Sequence, residues 1–192
     1  MIATACPAGT SRSTSSTART SALPPPYHLV TPRARSSADY DVPAEAANYR
    51  FTVEVERPAA AQLSTRVSAS WTFRSGRPAN GQTRHLPVQA VRFAPELDGR
   101  NAAPAGREFR VPVRVQRQAG AEPAGCASLT VDVSYDDGRT WRPARVTGTG
   151  PNRIAVLTHP TGAGFVSLRA SATDTAGNTV RQTTIRAYRL TD

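Results

Sequence analysis

The chain has 192 residues, which is room for one domain of ordinary size or for two small ones. No run of about 18 apolar residues occurs, so the sequence excludes membrane-spanning helices. The 24 basic residues are all arginine and exceed the 14 acidic residues, which gives a formal charge of +10. The arginines are spread along the chain without a block of like charges, so coding bias explains them better than polyanion binding. We therefore predict no nucleic-acid partner and no membrane partner.

The positions of cysteine and histidine argue against metal and redox chemistry. Cys6 and Cys126 allow at most one disulfide, which the sequence leaves open, and they form no Cys-x-x-Cys pair. His28, His85 and His159 lie far apart, and none stands at metal-ligand spacing from a cysteine. We interpret His85 and His159 as ordinary loop histidines at strand ends. The sequence predicts no metal and no cofactor.

Residues 1–45 differ in composition from the rest of the chain. They are rich in Ser, Thr, Ala and Pro and show neither strand nor helix periodicity, so we predict a disordered tail. The first fifteen residues also lack the basic start and the apolar segment of a secretion signal. Gly9, Thr10 and Ser11 match a phrase found at the nucleophile of subtilisins. Because no base and no orienting carboxylate accompany them, we predict no catalytic residue in the chain.

Alternation of apolar and polar residues begins at Tyr49 and predicts half-buried strands. Similar patterns at residues 63–73 and 86–93 predict a second and a third strand. The alternation slips between Val88 and Val91, which predicts a bulge in the third strand. The residues expected to face inward in the first strand are Tyr49, Phe51, Val53 and Val55.

A Gly-, Pro- and Asn-rich stretch at residues 99–106 predicts a linker between two β-regions. Residues 46–98 supply about three strands, fewer than a sandwich needs for independent stability, so we expect a small and incomplete β-region there. Residues 107–190 supply several short strands and no helical pattern, which predicts an immunoglobulin-like or fibronectin type III-like β-sandwich. Pro112 lies on the polar side of the first of these strands and predicts that this strand is at a sheet edge.

Residues 134–141 read Ser-Tyr-Asp-Asp-Gly-Arg-Thr-Trp, which fits the pattern called the Asp-box. An aspartate in such a turn bonds to backbone amides, the glycine adopts the left-handed conformation, and the tryptophan packs beneath the hairpin. We interpret the motif as a structural hairpin, and a ligand or calcium contact stays an alternative. The positions that define the motif are Ser134, Asp136, Gly138, Thr140 and Trp141.

A second turn motif, Ala-x-Asp-x-Ala-Gly-Asn, precedes the last predicted strand. Asp174 is placed to bond back to the turn amides, and Gly177 and Asn178 tolerate left-handed geometry. One carboxylate falls well short of the six to eight oxygens that calcium requires. We therefore expect a structural role for these three residues as well.

From about Tyr49 to Leu190 the chain resembles the C-terminal non-catalytic region of secreted bacterial subtilisin-like serine peptidases. In that family such modules follow the protease domain and perform no chemistry, so the resemblance implies an extracellular protein with a protease domain as its partner. It also implies that the chain is a fragment of a longer protein. The phrases that support the resemblance are residues 64–75, 86–98, 101–106, 133–141, 167–180 and 185–190.

These observations predict an accessory β-sandwich region that is not an enzyme and that spaces or positions a protease or binds a surface. A free-standing module that binds a polysaccharide or a protein is the alternative. Nucleic-acid binding through the arginines ranks third, and it would require an affinity that falls steeply with salt.

Overall fold

A computed structural model describes the backbone of residues 27–30 and the residues 44–79 and 82–192. Within these residues the chain forms twelve strands and no helix, so the predicted all-β class is confirmed. In chain order the strands are β1 (Tyr27–Val30), β2 (Ala47–Glu56), β3 (Arg66–Ser75), β4 (Gln89–Phe93), β5 (Ala102–Pro104), β6 (Glu108–Arg117), β7 (Cys126–Ser134), β8 (Arg142–Pro143), β9 (Arg145–Thr147), β10 (Asn152–Thr158), β11 (Gly164–Asp174) and β12 (Thr179–Thr191).

The strands form two sheets that face each other as a sandwich. The larger sheet has the order β1-β2-β3-β12-β11-β7-β8, and β5 also pairs with β12. The smaller sheet has the order β4-β6-β10-β9. All strand pairs are antiparallel except β1 with β2 and β5 with β12. The chain changes sheet after β8, at Ala144, whose amide still donates to the carbonyl of Val131 at 2.8 Å.

The core lies between the smaller sheet and strands β12, β11 and β7 of the larger one. Alternate residues of each strand point into it, as the period-two pattern predicts. Burial of a valine or leucine side chain contributes about 1.5–3 kcal/mol, so this layer is the main source of stability. Its central side chains are Val111, Val113 and Val115 of β6, Leu129, Val131 and Val133 of β7, and Leu168, Ala170 and Ala172 of β11.

Strands on both sides of the predicted linker contribute to the same two sheets. Strand β3 pairs with β12 from Thr72–Thr179 to Arg66–Ile185. Strand β4 pairs with β6 from Gln89–Arg117 to Phe93–Val113. Part of the predicted linker is itself the short strand β5, which lies parallel to β12. Residues 46–98 and 107–190 therefore share one sandwich.

The prediction that Pro112 marks an edge strand is wrong. Strand β6 lies between β4 and β10, and Pro112 is opposite Ile154 of β10. The carbonyl of Pro112 accepts the amide hydrogen of Ala94 at 2.9 Å, just past the last β4–β6 pair at Phe93. The missing N–H of Pro112 lies on the same side as its carbonyl, toward Ala94, so this pair keeps one of its two possible hydrogen bonds and the pairing with β4 ends here.

Two further details of the first strands differ from the sequence analysis. Strand β4 begins at Gln89, not at Leu86, and its pairing with β6 contains no register shift, so no bulge forms. The apparent slip in alternation arises because the polar side chain of Gln89 faces inward and is 3 % exposed. Val55 was expected to face inward, but it is 52 % exposed because β2 lies outside the main hydrophobic cluster.

Most of the predicted tail, including Cys6 and the Gly9–Ser11 phrase, lies outside the described residues. Within that tail, Tyr27–Val30 form β1, which pairs in parallel with residues 48–51 of β2.

Candidate functional site

The Asp-box residues come together in the tight turn between β7 and β8. Ser134 ends β7, and the strand pair continues at Val133–Arg142 and Asp132–Pro143, so the predicted hairpin is present. The carboxylate of Asp136 accepts the amide hydrogen of Thr140 at 2.9 Å and 3.1 Å and the hydroxyl of Thr140 at 2.6 Å. It also accepts the hydroxyl of Ser134 at 2.7 Å.

These donors stabilise the ionised form of Asp136. The hydroxyl and amide of Thr140, followed by the hydroxyl of Ser134, lower the pKa of Asp136 to about 2. Asp136 is therefore a carboxylate at neutral pH. It holds the turn closed and has no proton to give to a substrate.

Gly138 fits a position that no other residue occupies without strain. Its φ is +83°, in the left-handed region, and its amide donates to Ser134 Oγ at 2.9 Å. A Cβ added there would lie 2.8 Å from Cδ1 of Ile185 and 3.2 Å from the ring of Trp141. The turn is therefore pressed against both β12 and the tryptophan.

Trp141 packs beneath the turn on the outer face of the larger sheet. The guanidinium of Arg169 lies 4.5 Å from the centre of the Trp141 ring, in a cation–π contact. Nη2 of Arg169 also forms an ion pair with Asp132 at 2.8 Å. Trp141 is thus held between the glycine of the turn and a side chain of β11, and it is only half-buried.

Asp137, the neighbour of Asp136, binds a different partner. Its two carboxylate oxygens accept hydrogen bonds from Nε and Nη2 of Arg186 at 2.8 Å and 2.7 Å. Arg186 lowers the pKa of Asp137 by this bidentate contact. The adjacent aspartates point to different partners, so they do not form a paired catalytic site.

The second turn motif is built in the same way. Asp174 Oδ1 accepts the amide hydrogens of Ala176 at 3.0 Å and of Asn178 at 2.8 Å, while Oδ2 accepts the side-chain amide of Asn178 at 2.9 Å. Gly177 has a φ of +83°. Both Asp174 and Asn178 are buried, and the carbonyl of Asn178 accepts Nε2 of Gln89 at 3.2 Å. This turn therefore connects the end of β11 to strand β4 of the other sheet.

A shallow depression of about 230 Å³ lies beside the Asp-box turn. Tyr135, Asp136, Arg142 and Pro160 are among the residues that line it. The hydroxyl of Tyr135 donates to the carbonyl of Thr158 at 2.9 Å, and burial raises the pKa of Tyr135 to about 12. If the Asp-box contacts a ligand, this depression is where the contact would occur.

The sequence analysis missed a buried aromatic cluster around His159. His159 follows β10 but is only 2 % exposed, so it is not an ordinary loop histidine. Its ring stacks on Phe109 at 4.9 Å and meets Tyr135 edge-on at 6.1 Å. His159 Nδ1 lies 2.9 Å from the carbonyl of Pro104, and Nε2 lies 3.1 Å from the hydroxyl of Tyr188.

The hydrogen-bond partners of His159 define its tautomer. The carbonyl of Pro104 can only accept, so Nδ1 carries the proton and Nε2 accepts the hydroxyl hydrogen of Tyr188. Burial lowers the pKa of His159 and raises that of Tyr188, which keeps both side chains neutral. The sequence does contain the aromatic residues of this cluster, Phe109, Tyr135 and Tyr188. Their contact with His159 depends on how the strands pair, which the sequence pattern does not show.

No protein-family model matches the chain, and no curated protein matches it. Among the described residues, no three of His, Cys, Asp and Glu lie close enough together to hold a metal ion. Nor do the described residues include a helix that could serve as a membrane span.

Proposed function

We propose that this chain is a non-catalytic accessory β-sandwich that spaces or positions a protease domain or attaches it to a surface. The proposal includes the resemblance to the C-terminal region of secreted subtilisin-like serine peptidases, with an extracellular location and an immunoglobulin-like or fibronectin type III-like type of sandwich. The ordered set of phrases from Ser64 to Leu190 supports the resemblance.

One observation favours an accessory role over an enzymatic one. Both motif carboxylates are engaged by donors of their own turns, Asp136 by Ser134 and Thr140 and Asp174 by Ala176 and Asn178. A general acid or base must exchange a proton near the working pH, and a carboxylate with a pKa of about 2 does so poorly. The polar groups that the sequence singles out therefore stabilise turns of a rigid scaffold.

A casein or peptide-substrate assay on the purified full chain tests the proposal. We expect no hydrolysis above the buffer blank, and the same result for Ser11→Ala. Hydrolysis that coelutes with the chain in size-exclusion chromatography would contradict the proposal. Its loss in Ser11→Ala would identify that serine as the nucleophile, and its survival would point to another residue.

A free-standing module that binds a polysaccharide or a protein is the second candidate. The outward side of the smaller sheet favours it, because this side combines several arginines with apolar residues. The two candidates differ in whether the chain works as an appendage of a protease or as a protein of its own.

A further inference from the structure

The smaller sheet presents a basic surface to solvent. Residues of β4, β6, β10 and β9 alternate between the core and the outside, so every second side chain points outward. We call this outward side the arginine face. Its members are Ala90 and Arg92 of β4, Glu108, Arg110, Pro112, Arg114 and Gln116 of β6, Asn152, Ile154, Val156 and Thr158 of β10, and Arg145 and Thr147 of β9.

Strand register brings arginines together that are far apart in the sequence. Arg92 of β4 lies directly opposite Arg114 of β6. Val156 of β10 is paired with Arg110 of β6 on one side and with Arg145 of β9 on the other. Neighbouring strands are about 4.8 Å apart, so Arg110 and Arg145 are separated by roughly 10 Å at the backbone. Four arginines therefore project from the same side of one sheet.

The positive charge of the arginine face is weakly compensated. Glu108 is the one acidic residue among its strand positions, and its Oε1 is 4.0 Å from Nη1 of Arg110, with both side chains more than half exposed. Arg92 Nε donates to the uncharged Gln116 at 3.4 Å. Among the described residues, Arg114 and Arg145 have no carboxylate within ion-pair distance. Like charges opposite each other in a sheet are destabilising, so an anionic partner would relieve the repulsion between Arg92 and Arg114.

We propose that the arginine face binds an acidic polysaccharide, a chain of uronate sugars. This inference rests on the surface-binding form of the proposed function and names the chemistry of the surface. The planar guanidinium group matches a carboxylate in a bidentate contact. Pro112 and Ile154 lie opposite each other in the same face and offer an apolar strip for the C–H faces of sugar rings.

The same surface is less suited to nucleic acid. Single-stranded nucleic acid binds proteins through stacking of its bases on aromatic side chains, and the strand positions of the arginine face include none. The major groove of a duplex admits a helix or a two-stranded ribbon, whereas this surface is a four-stranded sheet. A polymer with regular carboxylates and flat apolar ring faces fits both features of the arginine face.

Affinity electrophoresis of the full chain in gels containing polygalacturonate tests the inference, with gels containing neutral dextran beside it. We expect retardation in polygalacturonate that weakens as salt rises, and none in dextran. The double variant Arg114→Gln/Arg145→Gln should lower the affinity about tenfold, which corresponds to the loss of two exposed ion pairs.

A matched control removes two charges from the opposite side of the molecule. Arg74 and Arg181 are exposed on the outer face of the larger sheet, so Arg74→Gln/Arg181→Gln changes the net charge equally. We expect less than a twofold effect on affinity. An equal loss for both double variants would overturn the inference, because net charge alone would then explain binding.

Two other results would also reject the inference. Tighter binding to single-stranded DNA than to polygalacturonate, lost in the same double variant, would assign the face to nucleic acid. Absence of retardation in polygalacturonate would remove the polysaccharide partner and leave the non-catalytic role to be judged by the hydrolysis assay.

Discussion

At the scale of single residues, Gly138 and Gly177 form a natural matched pair. Both have a φ of +83° in a turn stabilised by an aspartate. They differ in surroundings, because a Cβ on Gly138 would meet Ile185 and Trp141, whereas a Cβ on Gly177 would have open space around it. A comparison of the two separates backbone strain from the close packing of the Asp-box turn.

We expect Gly177→Ala to lower the free energy of unfolding by about 1 kcal/mol, which is the cost of placing an L-residue in the left-handed region. Gly138→Ala should cost at least about 1 kcal/mol more, because it also overpacks against Ile185 and Trp141. Urea denaturation followed by circular dichroism measures both. Equal losses would show that the turn is not pressed against β12.

The lowered pKa of His159 should make the stability of the fold depend on pH. The groups that face His159 are Tyr135 of the Asp-box turn, Phe109 of β6, Tyr188 of β12 and the carbonyl of Pro104 in β5. Burial holds its folded pKa below the ordinary value of 6.5. The unfolded chain therefore takes up this proton at a higher pH than the folded chain does, so protonation favours unfolding.

The sign of that difference predicts a loss of stability in mild acid. The free energy of unfolding should fall as the pH drops below about 6.5, before the aspartates titrate. His159→Gln should make the profile flatter between pH 7.5 and 5.5, although it lowers stability at neutral pH. His85→Gln, which changes an exposed loop residue, should keep the wild-type slope. If the free energy of unfolding of His159→Gln falls with pH as steeply as that of the wild type, another group is responsible.

At the scale of elements, strand β12 connects the Asp-box turn to the rest of the larger sheet. The β11–β12 register shifts between Val166 and Leu168, and Arg186 in the bulge has a φ of +56°. The amide of Arg186 donates to Ser167 Oγ at 3.0 Å, and its guanidinium lies 4.4 Å from the centre of the Phe165 ring. The bulge thus turns this side chain toward Asp137, where it fixes the hairpin.

Local patterns in the sequence predicted the elements better than they predicted the pairing of those elements. Alternation of side chains located most strands, and the Asp-Gly pair located the hairpin, because both are properties of adjacent residues. Pro112 suggested an edge strand because a missing N–H is tolerated there, but Pro112 lies at the end of the β4–β6 pairing, where only one hydrogen bond is lost. Gln89 disturbed the alternation because its burial depends on Asn178, which is far away in the chain.

The candidate site shows the same division between local and distant information. The residues of both turn motifs were predictable, since each aspartate bonds within four residues of itself. The arginine face was not, because the arginines are spread along the sequence and only the register of β4, β6, β10 and β9 brings them together. The cluster around His159 likewise depends on strands that are distant in sequence.

At the scale of the whole molecule, the two β-regions predicted from the sequence are interleaved. The residues before Gly99 form β3 and β4. Strand β3 pairs with β12 through seven residue pairs, and β4 pairs with β6 through five. The indole of Trp71 also donates to the carbonyl of Gln89 at 2.6 Å, which joins the two sheets. The segment between these regions should therefore act as a connection within one folding unit, not as a boundary between two.

Cleavage of the chain at that connection tests this conclusion. We expect a protease recognition site inserted between Gly99 and Arg100, which lie in an exposed turn, to be cut without separation of the two pieces. The pieces should coelute in size-exclusion chromatography because backbone pairing and shared core residues hold them together, and they should separate only in urea. The uncut insertion protein, checked by circular dichroism, shows that the inserted site itself does not disturb folding. If the pieces elute apart in native buffer, residues 46–98 and 107–190 are independent units, and the strand pairing between them contributes little to stability.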